Sequence, residues 1–263
     1  MLSDLSICLV QTELFWEDMA ANLKHFDGLL QSISKPVDLI VLPEMFTTGF
    51  SMKPFEFANE ESNAACIQQM KIWAKRHKAV VCGSMMYASN NSFFNRFLWV
   101  SPDESFHFYD KAHLFRMGEE NNHYQKGNQQ LLVELKGWKL ACFVCYDLRF
   151  PVWMRRTPNY DYDAIVLVAN WPAVRNMQWQ LLTRARAIEN QSYVIAVNRL
   201  GMDANQINHI GNSAVIEPTG DCLLDAASAP GLFFGTLSVN ALQQYRQRFP
   251  VALDADVFEW KIS

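Results

Sequence analysis

The chain has 263 residues, half of them hydrophobic and 19% charged, with a formal net charge of −4. An apolar half offsets backbone ordering entropy, so a disordered chain is excluded, and the slight acidic excess argues against a nucleic-acid footprint. The length admits one large domain or two small ones, burying about three quarters of the unfolded surface without staples.

The apolar runs are short: 5–10 contains Ser6, and 140–146 falls well below the roughly 18 residues that cross a bilayer. Asp4 and Gln11 flank the first run, against a signal-peptide pattern, so a cytoplasmic protein with reduced thiols is expected. In chain order, 5–11 reads as a buried strand and 22–32 as an amphipathic helix with Leu23, Phe26, Leu29 and Leu30 on one face. Residues 39–42 form a short strand stopped by Pro43, 60–77 a helix and 79–85 a strand. Runs 94–100 and 107–110 follow with only turn residues between them, which predicts antiparallel hairpins. Segments 130–135 and 138–145 pair across Lys136 and Gly137. Strand 164–169, helix 176–189 and strand 193–198 resume the alternation; strands 213–216 and 232–237 and a helix over 239–249 complete it. No repeat or linker interrupts this mixture of βα and ββ connections, which predicts one α/β domain with parallel and antiparallel pairs. A two-domain split has no marked boundary.

There are six cysteines, Cys8, Cys66, Cys82, Cys142, Cys145 and Cys222. Cys142 and Cys145 form a CxxC, but they sit along a strand-like run where positions i and i+3 face opposite ways, which opposes a redox pair. No second ligand pair has the spacing of a metal site. Cys145 closes an apolar strand before a polar stretch ending in Pro151, the setting of a nucleophile on a tight turn with a following N–H free for an oxyanion. A packed core cysteine is the plainer alternative. No histidine has a local pattern tying it to Cys145, His113 included. Glu44, just past the 39–42 strand, and Lys111, just past 107–110, stand where α/β sheets place ligands. Three strand ends thus deliver an acid–base–nucleophile set, although each residue alone also fits a turn or loop charge.

These residues carry a resemblance to the carbon–nitrogen hydrolases of the nitrilase superfamily. The matching segments are Leu42-Pro-Glu44 with Gly49-Phe50, Tyr109-Asp-Lys111-Ala-His-Leu-Phe115, and Val144-Cys145-Tyr-Asp-Leu-Arg-Phe-Pro151. Ala169-Asn-Trp-Pro172, Arg184-Ala-Arg-Ala-Ile-Glu-Asn-Gln191, Gly211-Asn-Ser213 and Pro218-Thr-Gly220 extend it over nearly the whole chain. Within the family the omega-amidase branch is most similar.

The resemblance implies a four-layer αββα sandwich spanning 1–263 as one domain, and hydrolysis of a small-molecule amide of the 2-oxo-acid type. N-carbamoyl compounds, monocarboxylic amides and nitriles are the alternatives. It implies Cys145 as nucleophile, Glu44 as base and Lys111 with the Tyr146 N–H as oxyanion donors. A second glutamate falls at Glu120 or Glu119, with the spacing to Gly127 favouring Glu120. Arg149 is a candidate for a substrate carboxylate or for a structural ion pair, and Phe46, Phe115 and Trp171 are candidate walls. Arg184 and Arg186 read as structural or as a subunit contact. No metal, cofactor, nucleic acid or membrane is expected; a homodimer is. The remaining five cysteines are expected to pack.

Overall fold

The computed structural model describes residues 3–256; the ends of the expected domain, 1–2 and 257–263, lie outside the described residues. A first sheet gathers β1 (Leu5–Gln11), β2 (Leu39–Val41), β3 (Val80–Ser89), β4 (Ser92–Val100) and β5 (Phe106–Asp110). A second gathers β6 (Leu131–Leu135), β7 (Trp138–Val144), β8 (Ala164–Ala169) and β9 (Tyr193–Asn198). After the small β10 (Leu200–Met202) and β11 (Asn208–Ile210) hairpin, β12 (Ala214–Ile216) and β13 (Cys222–Asp225) extend the second sheet, and β14 (Gly231–Leu237) returns to the first. The orders are β14-β1-β2-β3-β4-β5 and β13-β12-β9-β8-β7-β6.

In each sheet three parallel strands, β1–β3 or β7–β9, lie between antiparallel flanks. Because β4 reverses and β5 reverses again, β5 runs parallel to β3 and its carboxyl end reaches the same edge as that of β2. This puts the residues after β2, β5, β7 and β8 at one rim, where open α/β sheets bind ligands.

The two sheets face each other across a core that includes Leu9, Val41, Cys82, Trp99, Phe143 and Val166. Helices α1 (Met19–Gln31) and α3 (Glu60–His77) cover the outer face of the first sheet, packing Phe26, Leu30, Met70 and Trp73 onto Cys8, Ile40 and Val81. Helix α5 (Asn176–Asn190) lies against β9 and β12 of the second. The result is an αββα sandwich. Asn59 and Ser62 form a reciprocal capping box at the start of α3, and Lys75, Arg76 and His77 suit its carboxyl end. Two four-residue helices, α2 (Pro54–Phe57) and α4 (Glu120–His123), sit in the rim loops; α6 (Val239–Arg248) is anchored by Arg246 on Asp163 at 2.8 Å.

Candidate active site

Glu44, Lys111, Glu120 and Cys145 meet in the rim between the sheets. Lys111 Nζ donates to Glu44 Oε1 at 2.9 Å and to both Glu120 oxygens, at 3.0 and 2.9 Å, and all three side chains are fully buried. Asn95 Nδ2 donates to Glu44 Oε1 at 2.8 Å and Glu120 Oε1 at 3.0 Å. The Asn170 N–H reaches Glu44 Oε2 at 2.7 Å, and the Phe115 N–H reaches Glu120 Oε2 at 2.6 Å. Every nitrogen partner of the two carboxyl groups is a donor, so both serve as acceptors around one ammonium. Glu120 is the glutamate that joins Glu44 at Lys111, whereas Glu119 is exposed in a left-handed turn.

Cys145 follows β7 with a φ of +45°, as the first residue of a 3-10 turn over Cys145–Arg149. A non-glycine residue in the left-handed region costs about 1–3 kcal/mol and persists where surrounding structure holds it. Asp147 provides that hold. Its buried carboxylate accepts from the Val144 N–H at 3.0 Å and the Tyr109 hydroxyl at 2.8 Å. It also takes the His113 N–H at 3.0 Å and lies 2.8 Å from His113 Nδ1, so one carboxylate clamps the Cys145 turn to the loop carrying Lys111.

Burial pushes the Cys145 thiol well above its ordinary value, the Glu44 carboxylate raises it further, and Lys111 opposes both without prevailing. The resting pair is a thiol hydrogen-bonded to a carboxylate. For Lys111, burial alone would lower the pKa, but Glu120, Glu44 and Cys145 outweigh it and hold the ammonium above the usual lysine range.

The return of the chain from Glu120 depends on one glycine. The Gly127 N–H donates to the Lys111 carbonyl at 2.9 Å, and a β-carbon there would stand 2.0 Å from the Asp110 carbonyl oxygen. Gly127→Ala is expected to lower stability by at least about 1–3 kcal/mol and to reduce kcat by shifting Lys111, measured by denaturant unfolding and steady-state assay.

Above Cys145 opens a cavity of about 240 Å³, lined by Phe50, Phe115, Tyr146, Arg149, Trp171 and the β10–β11 hairpin among others. Tyr146 packs edge-on against Phe115, 5.1 Å between ring centres. The expectation that Phe46 walls this cavity is corrected. Its ring lies fully buried on the far side of the first sheet, 5.5 Å from Phe26 and 6.3 Å from Trp73. Met45, with a φ of +43°, turns the chain between Glu44 and Phe46. Phe50 takes the wall, its ring centre 5.2 Å from Lys111 Nζ.

A family model described as carbon-nitrogen hydrolase matches residues 6–247. The chain belongs to the carbon-nitrogen hydrolase family. It is 46% identical over 255 residues to the omega-amidase YafV of Escherichia coli (strain K12), covering 97% of this chain and 98% of that protein. To the 2-oxoglutaramate amidase of Bacillus subtilis (strain 168) it is 29% identical, covering 94% of this chain and 95% of that one. The solved structure of XC1258 from Xanthomonas campestris, a CN-hydrolase superfamily protein with an arsenic adduct in its active site, superposes with a TM-score of 0.96. It is 40% identical and the match covers 99% of this chain and 100% of that one.

The hydrolysis of carbon–nitrogen bonds other than peptide bonds is thus this family member's chemistry. Two polar residues that hold the site of this carbon-nitrogen hydrolase, Asn95 and Asp147, carry no role in the sequence reading above. Both had a signal: Asn95 interrupts an apolar strand, and Asp147 stands two residues after Cys145 in the polar stretch that ends the strand. Arg186 is structural as expected, buried and donating to the Leu148 carbonyl at 2.6 Å, and Arg184 donates to that of Gly220 at 2.6 Å. Arg149 has no ion pair among the described residues and lies over Trp171, 5.2 Å from the ring centre. Cys142 faces the inter-sheet core beside Cys82, and all six thiols are free. Cys222 corrects the packing expectation, because it is exposed on β13 at the sheet edge. No cluster of three His, Cys, Asp or Glu side chains suited to a metal occurs among the described residues.

Proposed function

We propose that the chain is an omega-amidase, releasing ammonia from the terminal amide of a small 2-oxo acid of the 2-oxoglutaramate or 2-oxosuccinamate type. The observation that carries this is the buried Glu44–Lys111–Glu120 cluster against the Cys145 thiol, beneath a small aromatic cavity bearing Arg149. The 46% identity to omega-amidase YafV supports the same substrate class.

Cys145 Sγ attacks the amide carbon as its proton passes to Glu44. The oxyanion is held by the Lys111 ammonium and the Tyr146 N–H, which lies in the first turn of a helix where N–H groups lack internal partners. Collapse breaks the C–N bond; Glu44 returns the proton to the nitrogen, which leaves as ammonia. Water then gives its proton to Glu44 and attacks the thioester, and the thiol is re-formed with the acid. Glu120 is a positioning residue that fixes Lys111. Arg149 takes the distal carboxylate, with Phe115, Trp171 and Tyr146 as walls. Steady-state comparison of 2-oxoglutaramate, an N-carbamoyl amine and a simple nitrile tests the reading: 2-oxoglutaramate should give the highest kcat/KM, and ranking last would overturn it. A thiol redox role for Cys142 and Cys145 predicts loss of function on Cys142→Ser; amidase activity is expected to survive that change.

The described residues act as one catalytic domain, and the free thiols suit a reducing, cytoplasmic setting. Two copies pair through α5, whose approach and exposed face carry Val174, Met177, Leu181 and Ile188, the first 83% and the third 59% exposed. Sedimentation should report a dimer that Leu181→Glu converts to single chains; a monomeric parent protein would remove the dimer.

A further inference from the structure

Two guanidinium groups line the cavity above Cys145, and neither has an ion pair or a side-chain hydrogen bond among the described residues. Arg149 lies over the Trp171 ring and Arg175 over the Phe115 ring, each 5.2 Å from the ring centre. The two are linked through the walls: Trp171 Nε1 donates to the Arg175 carbonyl at 2.7 Å, so the aromatic face under one arginine is tied to the backbone of the other. The wall under Arg175 is tied to the floor by the Phe115 N–H on Glu120.

The carboxyl group in the lining, that of Asp203, is spoken for. Its Oδ1 accepts from the Asn205 and Ile207 N–H groups at 2.9 Å each, and it bears electrostatically on the buried Arg199 behind the hairpin. His209, also in the lining, is pushed down to about 4 by burial and then Arg199, so it is neutral at physiological pH. The cavity therefore has two uncompensated positive groups at its walls. Its floor holds two carboxylates against one ammonium. A molecule with a carboxylate at one end and an uncharged carboxamide at the other has the matching polarity, and reversing it would set the carboxylate against Glu44 and Glu120.

We propose that Arg175 is a specificity-determining residue, the second arm of a two-arginine clamp that takes the substrate's carboxylate and directs the amide to Cys145. This rests on the omega-amidase reading above and adds to it a residue and an orienting mechanism. Stacking on aromatic faces holds both forks in place, so little side-chain freedom is lost when the anion binds.

The test compares 2-oxoglutaramate with butyramide, an amide lacking the carboxylate, in the full-length enzyme and in Arg175→Gln, Arg175→Lys and Arg149→Gln. Arg175→Gln is expected to raise KM for 2-oxoglutaramate about tenfold or more, to leave kcat within about threefold, and to leave KM for butyramide unchanged. Arg175→Lys, which keeps the charge and loses the fork, should fall between. Glutarate, as a competitive inhibitor, should weaken in parallel with 2-oxoglutaramate binding. An equal KM change on both amides, or none on 2-oxoglutaramate while the parent enzyme prefers it, overturns the role of Arg175 alone. A parent enzyme that prefers butyramide overturns the omega-amidase reading itself.

Discussion

Glu44→Gln is expected to lower kcat by roughly 10²–10⁴-fold while making the Cys145 thiol more acidic. The two effects come from one carboxylate. In the proposed mechanism Glu44 takes the thiol proton and returns it to the departing nitrogen, and glutamine can do neither. The same negative charge, with its hydrogen bond to the thiol, is among the causes that hold Cys145 protonated, after burial itself; Lys111 works the other way. Removing the charge leaves Lys111 to favour the thiolate, so the thiol pKa must fall. Glutamine also mismatches the donors, since Lys111, Asn95 and the Asn170 N–H together require acceptors at both oxygens. Titration by thiolate absorbance should show the pKa drop, and alkylation of Cys145 at neutral pH should speed up as turnover disappears. Turnover and alkylation falling together, with an unchanged thiol pKa, would mean that Glu44 is not what keeps the thiol protonated.

Much of this site was legible because its members sit at strand ends, and strand ends are the parts of an α/β chain that periodicity marks best. Pro43 after 39–42 and the polar break after Val144 flagged Glu44 and Cys145. Lys111 lies one residue past the short predicted strand 107–110. What periodicity does not carry is the direction of a side chain once the backbone leaves the strand. Met45 at positive φ sends Phe46 into the helix layer, and nothing in its apolar character distinguishes that from a cavity wall. The β10–β11 hairpin has three-residue strands joined by a polar turn around Asp203, too short for an alternation to register, yet it closes one side of the cavity. Asn95 and Asp147 act through side-chain contacts 11 to 51 residues away for the first and up to 38 for the second, which local pattern does not encode. The sandwich itself was clearer from motif resemblance than from strand order. A 39–41 strand of three residues gains its place only by pairing in parallel with β1 and β3.

Lys111→Met is expected to cost about 3–5 kcal/mol of stability, as well as abolishing activity. The buried floor holds Glu44 and Glu120 around a single cation, and all three are removed from water. Without Lys111, two carboxylates sharing Asn95 as a donor face each other in low dielectric, and one of them must take up a proton. Burial already raises Glu120, with Lys111 opposing it, so removing the lysine raises it further. A carboxyl whose folded pKa lies above its unfolded value stabilises the fold below the unfolded pKa and loses that contribution as pH rises through the folded one. The deficit of Lys111→Met relative to the parent protein should therefore be largest at neutral and alkaline pH and should shrink on acidification. Urea unfolding at several pH values measures this directly. Adding Glu120→Gln removes the second charge, so the double variant should recover stability at neutral pH while remaining inactive for want of Lys111, the proposed oxyanion donor. A single variant equally destabilised at every pH would instead point to lost packing around Phe50, against whose ring Lys111 rests.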